Sequence, residues 1–125
     1  MLDNGAPIFS QVADRLADEI ADGALKEGDR APSSNELASF YRINPATAAK
    51  GINLLMGDGL LEKRRGVGMF VAHGARAQLL ARRRRLFAEH YVEPMVAEAA
   101  RLGIGPEPLL EMVRSASALP RGVHV

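Results

Sequence analysis

Two short helical segments separated by very few residues are the feature that most constrains the fold of this chain. The first begins near Ser33, which stands three residues before Glu36 at the spacing of a capping box. The second has Asn44 as its cap and Pro45 at its first helical position, and Gly57 follows its apolar body. Two short helices joined by a tight turn predict a helix-turn-helix.

An amphipathic helix is predicted before this pair, because apolar residues recur every four positions between Pro7 and Gly23. The residues of its buried face are Ile8, Val12, Leu16 and Ile20. In the two short helices, the residues expected to be buried are Leu37, Ala38 and Phe40 in the first, and Ile52, Leu54, Leu55 and Met56 in the second. Residues 24–32 between the first and second helices have the composition of a turn.

A β-hairpin is predicted after the third helix, where the periodicity changes. Residues 60–61 and 69–71 resemble strands, and a basic, glycine-rich stretch, "RRGVG", lies between them. A glycine-rich loop can also hold a nucleotide phosphate, but that site needs a helix directly after the loop, and here a strand follows. Three helices followed by a hairpin with a basic tip are the layout of a winged helix-turn-helix.

The remainder of the chain is predicted to be helical. Leu80, Phe87, Tyr91 and Met95 begin a stripe at helical spacing. Pro94 should bend or break this helix near residues 92–93, and a last short helix follows residues 103–106. We therefore expect a mainly α fold with a small β-hairpin: a winged helix-turn-helix at residues 6–72, a helical dimerisation tail at 73–115, and disorder at 116–125.

Composition excludes several classes of function. The 125 residues include no Cys, so disulfides and thiolate metal sites are excluded, and the three His residues are far apart in sequence. No catalytic set is recognisable, so neither an enzyme nor a cofactor or metal site is expected. No apolar run is long enough to span a membrane, and we expect a cytoplasmic protein that does not bind membranes. Residues 61–90 carry eight bases and two acids, a net +6, which suggests an anionic partner for that region or a solvated basic face.

Several ordered motifs resemble those of the GntR family of bacterial transcription regulators. They are "GALKEGDRAPS" from Gly23, "NPAT" from Asn44 and "RRGVGMFV" in the hairpin, and the resemblance runs from about Pro7 to Val71. The later stretch "VAEAARLGIGPEPLLEMV" resembles the short two-helix tail of the YtrA subfamily. The resemblance implies a homodimeric repressor that binds a near-palindromic operator in double-stranded DNA. It also implies control of its own operon, frequently one encoding an ABC transporter.

The chain departs from the family pattern at three positions. Many members carry Leu where this chain has Ala31, and Arg where it has Asn35. The Arg usually touches the DNA backbone, whereas Asn35 can donate a hydrogen bond but brings no charge. Gly51 is unusual inside a recognition helix and costs up to about 1 kcal/mol relative to Ala if it is exposed.

The start of the third helix is the first candidate DNA-binding site, because the first residues of a recognition helix enter the major groove. Its leading side chains are small, which lets the backbone approach a duplex; alternatively, they are small because another helix packs against them. Within the motif series we favour DNA contact for Ala46, Thr47 and Lys50. Asn44 is expected to cap the helix or to touch a phosphate.

The second and third candidate sites are the start of the second helix and the hairpin tip, or wing. Ser33 and Ser34 are expected to cap the second helix, and their N–H groups, together with Asn35, could meet a phosphate. Arg30 either contacts the DNA backbone or pairs with an acid. In the wing, we expect the bases to reach phosphates or the minor groove and the glycines to allow a tight tip. These residues are Lys63, Arg64, Arg65, Gly66, Val67 and Gly68.

Apolar residues of the tail are expected to form the dimer core rather than a ligand pocket. They are Leu79, Leu80, Leu86, Phe87, Tyr91, Met95 and Leu102. The four consecutive bases at residues 82–85 spread around almost a full helical turn, so most are expected to be solvated or paired with acids of a neighbouring helix. Two other functions stay open: a sensor whose unidentified small-molecule effector binds at the dimer or interdomain interface, and a winged-helix protein-interaction module.

Overall fold

Three helices, a two-stranded hairpin and the first part of a fourth helix form one unit of the chain, Met1–Arg83, in the computed structural model. The structure describes Leu2 and residues 5–120. The elements of this unit are α1 (Ile8–Asp22), α2 (Ser34–Tyr41), α3 (Pro45–Gly57), β1 (Leu61–Arg64), β2 (Gly68–Val71) and the beginning of α4 (Ala75–Phe87). This order confirms the predicted winged helix-turn-helix.

Helix α1 starts and stops where its sequence predicts. Pro7 precedes its first turn, and Gly23 ends it in the left-handed region, at φ 85°. Val12, Leu16 and Ile20 are each at most 2% exposed, so the four-residue spacing does form the buried face. That face packs mainly against α3.

Two apolar residues that were predicted to be buried are exposed. Phe40 in α2 is 63% exposed and Leu54 in α3 is 41% exposed. The reason is helical geometry, because residues three and four apart share a face. Leu37 and Tyr41 face the core from α2, which turns Phe40 away. Likewise Ile52 and Leu55 define the buried face of α3 and leave their neighbour Leu54 outside.

The hairpin pairs β1 with β2 in antiparallel register, from Leu61 opposite Val71 to Arg64 opposite Gly68. The outer edge of β2 is covered by the turn between α1 and α2. Here the Ala31 N–H donates to the Met69 carbonyl at 2.8 Å, and the Val71 N–H donates to the Asp29 carbonyl at 2.9 Å. The turn before α2 is therefore fixed to the base of the wing.

Helix α4 begins as part of the winged-helix unit, which extends beyond the predicted boundary at residue 72. Ala75 and Leu79 are at most 1% exposed and belong to the same core cluster as α1 and α3, and Leu80 packs against that cluster. Leu79 is thus buried within its own chain and cannot form the dimer contact that the sequence predicts. Leu80 is partly buried in the same way.

The second unit, Arg84–Val125, contains the rest of α4, a π-helical segment (Ala88–Val92), α5 (Glu93–Arg101) and α6 (Pro106–Ser117). The π-helical segment ends just before Pro94, where a bend or break was predicted. The Glu93 N–H donates to the Ala88 carbonyl, five residues back, so the helix widens by one residue instead of ending. Helix α6 continues to Ser117, into the stretch predicted to be disordered, and residues 121–125 of that stretch lie outside the described residues.

Candidate nucleic-acid interface

The start of α3 is held by its own cap. The side-chain oxygen Oδ1 of Asn44 accepts a hydrogen bond of 2.8 Å from the N–H of Ala46. The carbonyl of Asn44 accepts from Thr47 at 2.9 Å and from Ala48 at 3.1 Å. Pro45 has no N–H, and the N–H groups of the next three residues all donate to Asn44. The first amide groups of α3 are therefore satisfied within the chain. Of the two predicted roles of Asn44, the free protein therefore shows the capping role.

The small residues at the start of α3 face two different surroundings. Ala48 is fully buried in the core, so helix packing requires its small size. Ala46 is exposed and Thr47 is half-buried, one turn from exposed Lys50. Helix packing thus explains Ala48, and DNA contact stays a prediction for the residues on the exposed side. The exposed side is the one available to a duplex.

Phe9 of α1 contacts Lys50 on the exposed side of α3. The Nζ atom of Lys50 lies 4.2 Å from the centroid of the Phe9 ring. A Cβ atom on Gly51 would lie only 2.8 Å from the Phe9 carbonyl oxygen and 3.1 Å from Val12. Gly51 is therefore required by the close approach of α1, which answers why this helix tolerates glycine. The same approach places an aromatic ring under Lys50.

A groove of about 260 Å³ lies between α2, α3 and the wing. It is bordered by the start of α2, the middle of α3 and the base of the wing, and the predicted α3 residues Asn44, Ala46, Thr47 and Lys50 do not line it. The predicted residues that line it are Arg30, Ser33, Ser34, Lys63 and Gly68. The residues that line it without having been predicted as site residues are Ala31, Ala49, Ile52, Asn53, Met56 and Met69.

Among the lining residues that were not predicted, Asn53 is the one with a polar side chain. Its amide can both donate and accept a hydrogen bond. It is exposed on α3, three residues after Lys50 and seven after Ala46, so all three share one side of the helix. Helical spacing alone could have identified Asn53, because the side that carries Ala46 and Lys50 must continue to it. An amide side chain can read the edge of an adenine in two hydrogen bonds.

Arg30 lies where the turn, α2 and the wing meet. It forms an isolated bridge with Phe70 of β2, and its Nε would be 3.0 Å from a Cβ atom on Gly68. Its Nη1 is 3.8 Å from the Glu36 carboxylate, with both side chains more than half exposed. Of the two predicted roles, pairing with an acid is present in the free protein, and the guanidinium still lines the groove.

The predicted capping box forms at the start of α2. Ser33 donates its N–H to Glu36 at 2.8 Å, and its Oγ accepts from the Glu36 N–H at 3.1 Å. The two hydrogen bonds with Ser33, followed by the nearby charge of Arg30, lower the pKa of Glu36 below its ordinary value. Ser33 is therefore committed to the cap, Ser34 follows it as the first helical residue, and Asn35 is exposed.

The bases of the wing differ in how tightly they are held. The Arg64 guanidinium lies 4.1 Å from the centroid of Phe70 and 3.6 Å from the Glu62 carboxylate. Lys63 and Arg65 are exposed and take part in none of the ion pairs within residues 5–120. At the tip, Gly66 has φ 75° and Val67 is exposed, so the turn is tight and its side chains project outward.

The basic run of α4 is mostly neutralised by acids. Arg82 pairs with Asp58 at 3.4 Å and Arg83 with Asp18 at 2.8 Å, both within the winged-helix unit. Arg85 is 3.9 Å from Glu89, four residues later. The prediction that most of these bases are solvated or paired is confirmed.

The tail unit exposes most of its large apolar side chains. Phe87 and Tyr91 are 58% and 67% exposed, and their ring centroids are 5.5 Å apart. The other exposed apolar residues of this unit are Leu86, Met95, Val96, Leu102, Leu110, Met112, Val113 and Leu119. The predicted dimer residues other than Leu79 and Leu80 are thus at the surface of the single chain, and dimer contact stays a prediction for them.

Other kinds of site are not found in the described part of the chain. No three His, Cys, Asp or Glu side chains of Leu2 and residues 5–120 are grouped so as to hold a metal ion. Over the same residues, none of the helices combines the length and the hydropathy needed to cross a membrane.

Comparison with known proteins places these features in a family. The family model for bacterial regulatory proteins of the gntR family matches residues 9–71, which contain α1, the helix-turn-helix and the wing. The HTH-type transcriptional repressor YtrA of Bacillus subtilis is 28% identical over 119 residues, which cover 95% of this chain and 91% of YtrA.

Solved structures agree with this match. A transcriptional regulator from Oenococcus oeni superposes with a TM-score of 0.78 at 25% identity, covering 94% of this chain and 97% of that one. The structure of AraR(DBD) in complex with operator ORX1 superposes with a TM-score of 0.54 at 27% identity, covering 58% of this chain and 93% of that one. The similarity to the first structure includes the tail, and the second structure is similar over little more than half of this chain.

Proposed function

Because the chain belongs to the gntR family of bacterial regulatory proteins, we propose that it is a homodimeric repressor that binds a near-palindromic operator. It is a DNA-binding transcriptional regulator and not an enzyme. The observation that carries the proposal is the groove in which Arg30, the start of α2, Asn53 of α3 and Lys63 of the wing come together, with exposed Lys50 one helical turn before Asn53.

In this proposal, the exposed side of α3 reads bases in the major groove. Thr47 offers a hydroxyl and a methyl group, and Lys50 offers a charged donor three residues later. The first turn of α3 presents no bulky side chain outward, since Pro45 and Ala46 are its exposed residues. A duplex can therefore come close to the helix backbone, which is how recognition helices dock.

The start of α2 and the wing position the protein on the phosphates. Lys63 and Arg65 carry charges that no acid neutralises within residues 5–120. Arg30, which pairs with Glu36 in the structure, contributes a third base from the turn. Contacts of this kind fix register and contribute affinity that falls with salt. With about three phosphates neutralised per protomer, the log–log salt slope of a dimer is on the order of −5.

Dimerisation is proposed to use the exposed apolar side chains of the tail unit, with Phe87, Tyr91, Met95 and Leu102 at its centre. Their burial against a second copy would place two recognition helices on one operator, and a two-fold protein matches a palindromic site. On the resemblance of its sequence to the YtrA subfamily, we further propose that the chain represses its own operon and that this operon encodes an ABC-type transporter.

The test is selection of duplexes by the full chain from a random pool. We expect an enriched motif with two inverted half-sites whose centres are about 10 base pairs apart or a multiple of that spacing. If no motif is enriched, the proposal of operator binding is wrong, and protein interaction is left as the function of the winged helix. A motif with a single half-site would retain DNA binding and contradict the dimeric arrangement.

A further inference from the structure

A second cavity, of about 460 Å³, also borders Arg30, but none of the residues that line it belongs to α3 or the wing. Its walls come from α1, the turn before α2 and α2 itself. We call it the α2 cavity and define it by Glu19, Arg30, Glu36, Leu37, Phe40 and Tyr41. Its volume lies in the range of small-molecule sites, about 300–1,000 Å³.

Two aromatic rings form the open wall of the α2 cavity. The Phe40 and Tyr41 rings pack edge to face, with centroids 4.9 Å apart and planes at 80°. Phe40 is 63% exposed although it is a large apolar residue, so most of its apolar surface is not buried within its own chain. The face of an aromatic ring carries negative potential and attracts cations.

Glu19 is the carboxylate of this cavity that has no counter-ion among residues 5–120, and its side chain is exposed on α1. Glu36 has one, because the Arg30 guanidinium is 3.8 Å from it, and the Nε of the same guanidinium is directed to the backbone at Gly68 in the other groove. Glu19 takes part in none of the ion pairs formed within residues 5–120. The cavity thus combines a negative charge with two rings and a largely apolar floor that includes Leu37, which is 5% exposed.

We propose that the α2 cavity binds an organic cation that carries aryl groups. The aryl groups would cover Phe40 and Leu37, whose apolar surface is removed from water, and the positive charge would lie between Glu19 and the ring faces. An anion would be repelled by Glu19 and Glu36, because Arg30, the cation among the described residues that line the cavity, is already paired with Glu36. The site belongs to the winged-helix unit alone and differs from the interfacial effector site that the sequence suggested.

The proposal can be tested with two probes of the same shape and opposite charge. Tetraphenylphosphonium and tetraphenylborate are titrated calorimetrically into the full chain without DNA, so the outcome is independent of whether the chain binds an operator. We expect saturable binding of one tetraphenylphosphonium per protomer and no saturable binding of tetraphenylborate. Equal binding of the two ions, or no binding of the cation, would overturn the proposal.

Variants then locate the site. Glu19→Gln keeps the size of the side chain and should weaken binding of the cation about fivefold or more, and Phe40→Ala should do the same through loss of the ring. Asp14→Asn removes an equal charge from an exposed position of α1 that does not border the cavity and should leave the affinity unchanged. If Glu19→Gln behaves like Asp14→Asn while both variants stay folded by circular dichroism, the cation binds elsewhere and the proposal fails.

Discussion

Gly51 shows how one residue without a side chain determines the approach of two helices. The Phe9 carbonyl oxygen of α1 would lie 2.8 Å from a Cβ atom at this position, closer than real Cβ contacts allow. No local pattern in the sequence reveals this, because the neighbour that excludes a side chain lies some forty residues earlier in the chain. Phe40 is a similar case, since its apolar character predicts burial and only the packing of Leu37 and Tyr41 shows it to be exposed.

Gly51→Ala should destabilise the protein. Overpacking against a backbone carbonyl costs about 1–3 kcal/mol, which exceeds the gain of up to about 1 kcal/mol from placing Ala in a helix. The matched control is Gly57→Ala at the last residue of α3, where a Cβ atom meets nothing within 4 Å. That change should leave the free energy of unfolding equal or raise it by up to about 1 kcal/mol. Urea unfolding of both variants measures the difference, and equal effects would contradict the close approach of α1.

Lys50 is the side chain whose removal should most reduce discrimination between bases. Lys50→Met keeps an apolar stem over the Phe9 ring and removes only the charge and its donors. We expect a loss of roughly 1–3 kcal/mol in binding to the selected operator if Lys50 reads a base. Lys26→Met removes a charge from an exposed turn outside the groove and is the control. Equal affinities of the two variants in a gel-shift titration would exclude Lys50 from the readout.

At the scale of elements, the sequence predicts the helices, their caps and the hairpin better than it predicts single contacts. The start and end of α1, the capping box of α2, the cap of α3 and the hairpin all form where local signals indicate them. Local signals succeed here because caps and turns depend on residues within three or four positions of each other. The pairing of Asp29 and Ala31 with β2 depends on distant residues, and the sequence indicated only a turn there.

The capping box of α2 should make stability depend on pH. Hydrogen bonds from Ser33, and then the charge of Arg30, lower the pKa of Glu36 in the folded chain. The ionised carboxylate of Glu36 therefore stabilises the fold fully at a pH above the pKa of Glu in the unfolded chain. This stabilisation is lost as the pH falls through the lower pKa of Glu36 in the folded chain. Between about pH 6 and pH 3, wild type should lose more unfolding free energy than Glu36→Gln, which has no proton to gain. Parallel pH profiles of the two proteins would contradict this role of Glu36.

The wing should contribute affinity that is independent of sequence. Arg65→Ala removes a base that no acid neutralises among residues 5–120, and it should reduce the salt slope of operator binding by about 1 per protomer. Selected and scrambled duplexes should lose affinity to a similar extent, because phosphate contacts carry no sequence information. A slope that stays unchanged when binding is titrated over salt concentration would show that Arg65 does not reach a phosphate.

At the scale of the whole molecule, sequence periodicity does not give the boundary between the two units, which lies at Arg83 and not at residue 72. Apolar positions from residue 79 onward belong to one continuous stripe. The stripe does not show which of these residues are buried within the same chain and which are exposed. Leu79 completes the core of the winged-helix unit, whereas Phe87, Tyr91 and Leu102 are exposed in the tail unit. Only the packed structure separates intrachain burial from a surface available to a second chain.

A chain that ends after Arg83 should therefore fold and remain monomeric. It keeps every residue of the core cluster and the Arg83–Asp18 ion pair but lacks the exposed apolar residues of the tail. The full chain should be a dimer by light scattering at micromolar concentration. The shortened chain should also bind the operator far more weakly, since two half-site contacts are no longer linked. A full chain that scatters as a monomer would contradict the proposed dimer.

Hydroxyl-radical footprinting of the full chain on its selected duplex tests the central claim most directly. Two recognition helices and two wings on one dimer predict two protected stretches on each strand, related by a two-fold axis, with half-site centres about one helical turn apart or a multiple of it. Lys50→Met should weaken both stretches equally. A single protected stretch would contradict an operator-binding homodimer. Uniform protection of the duplex whatever its sequence would contradict it as well.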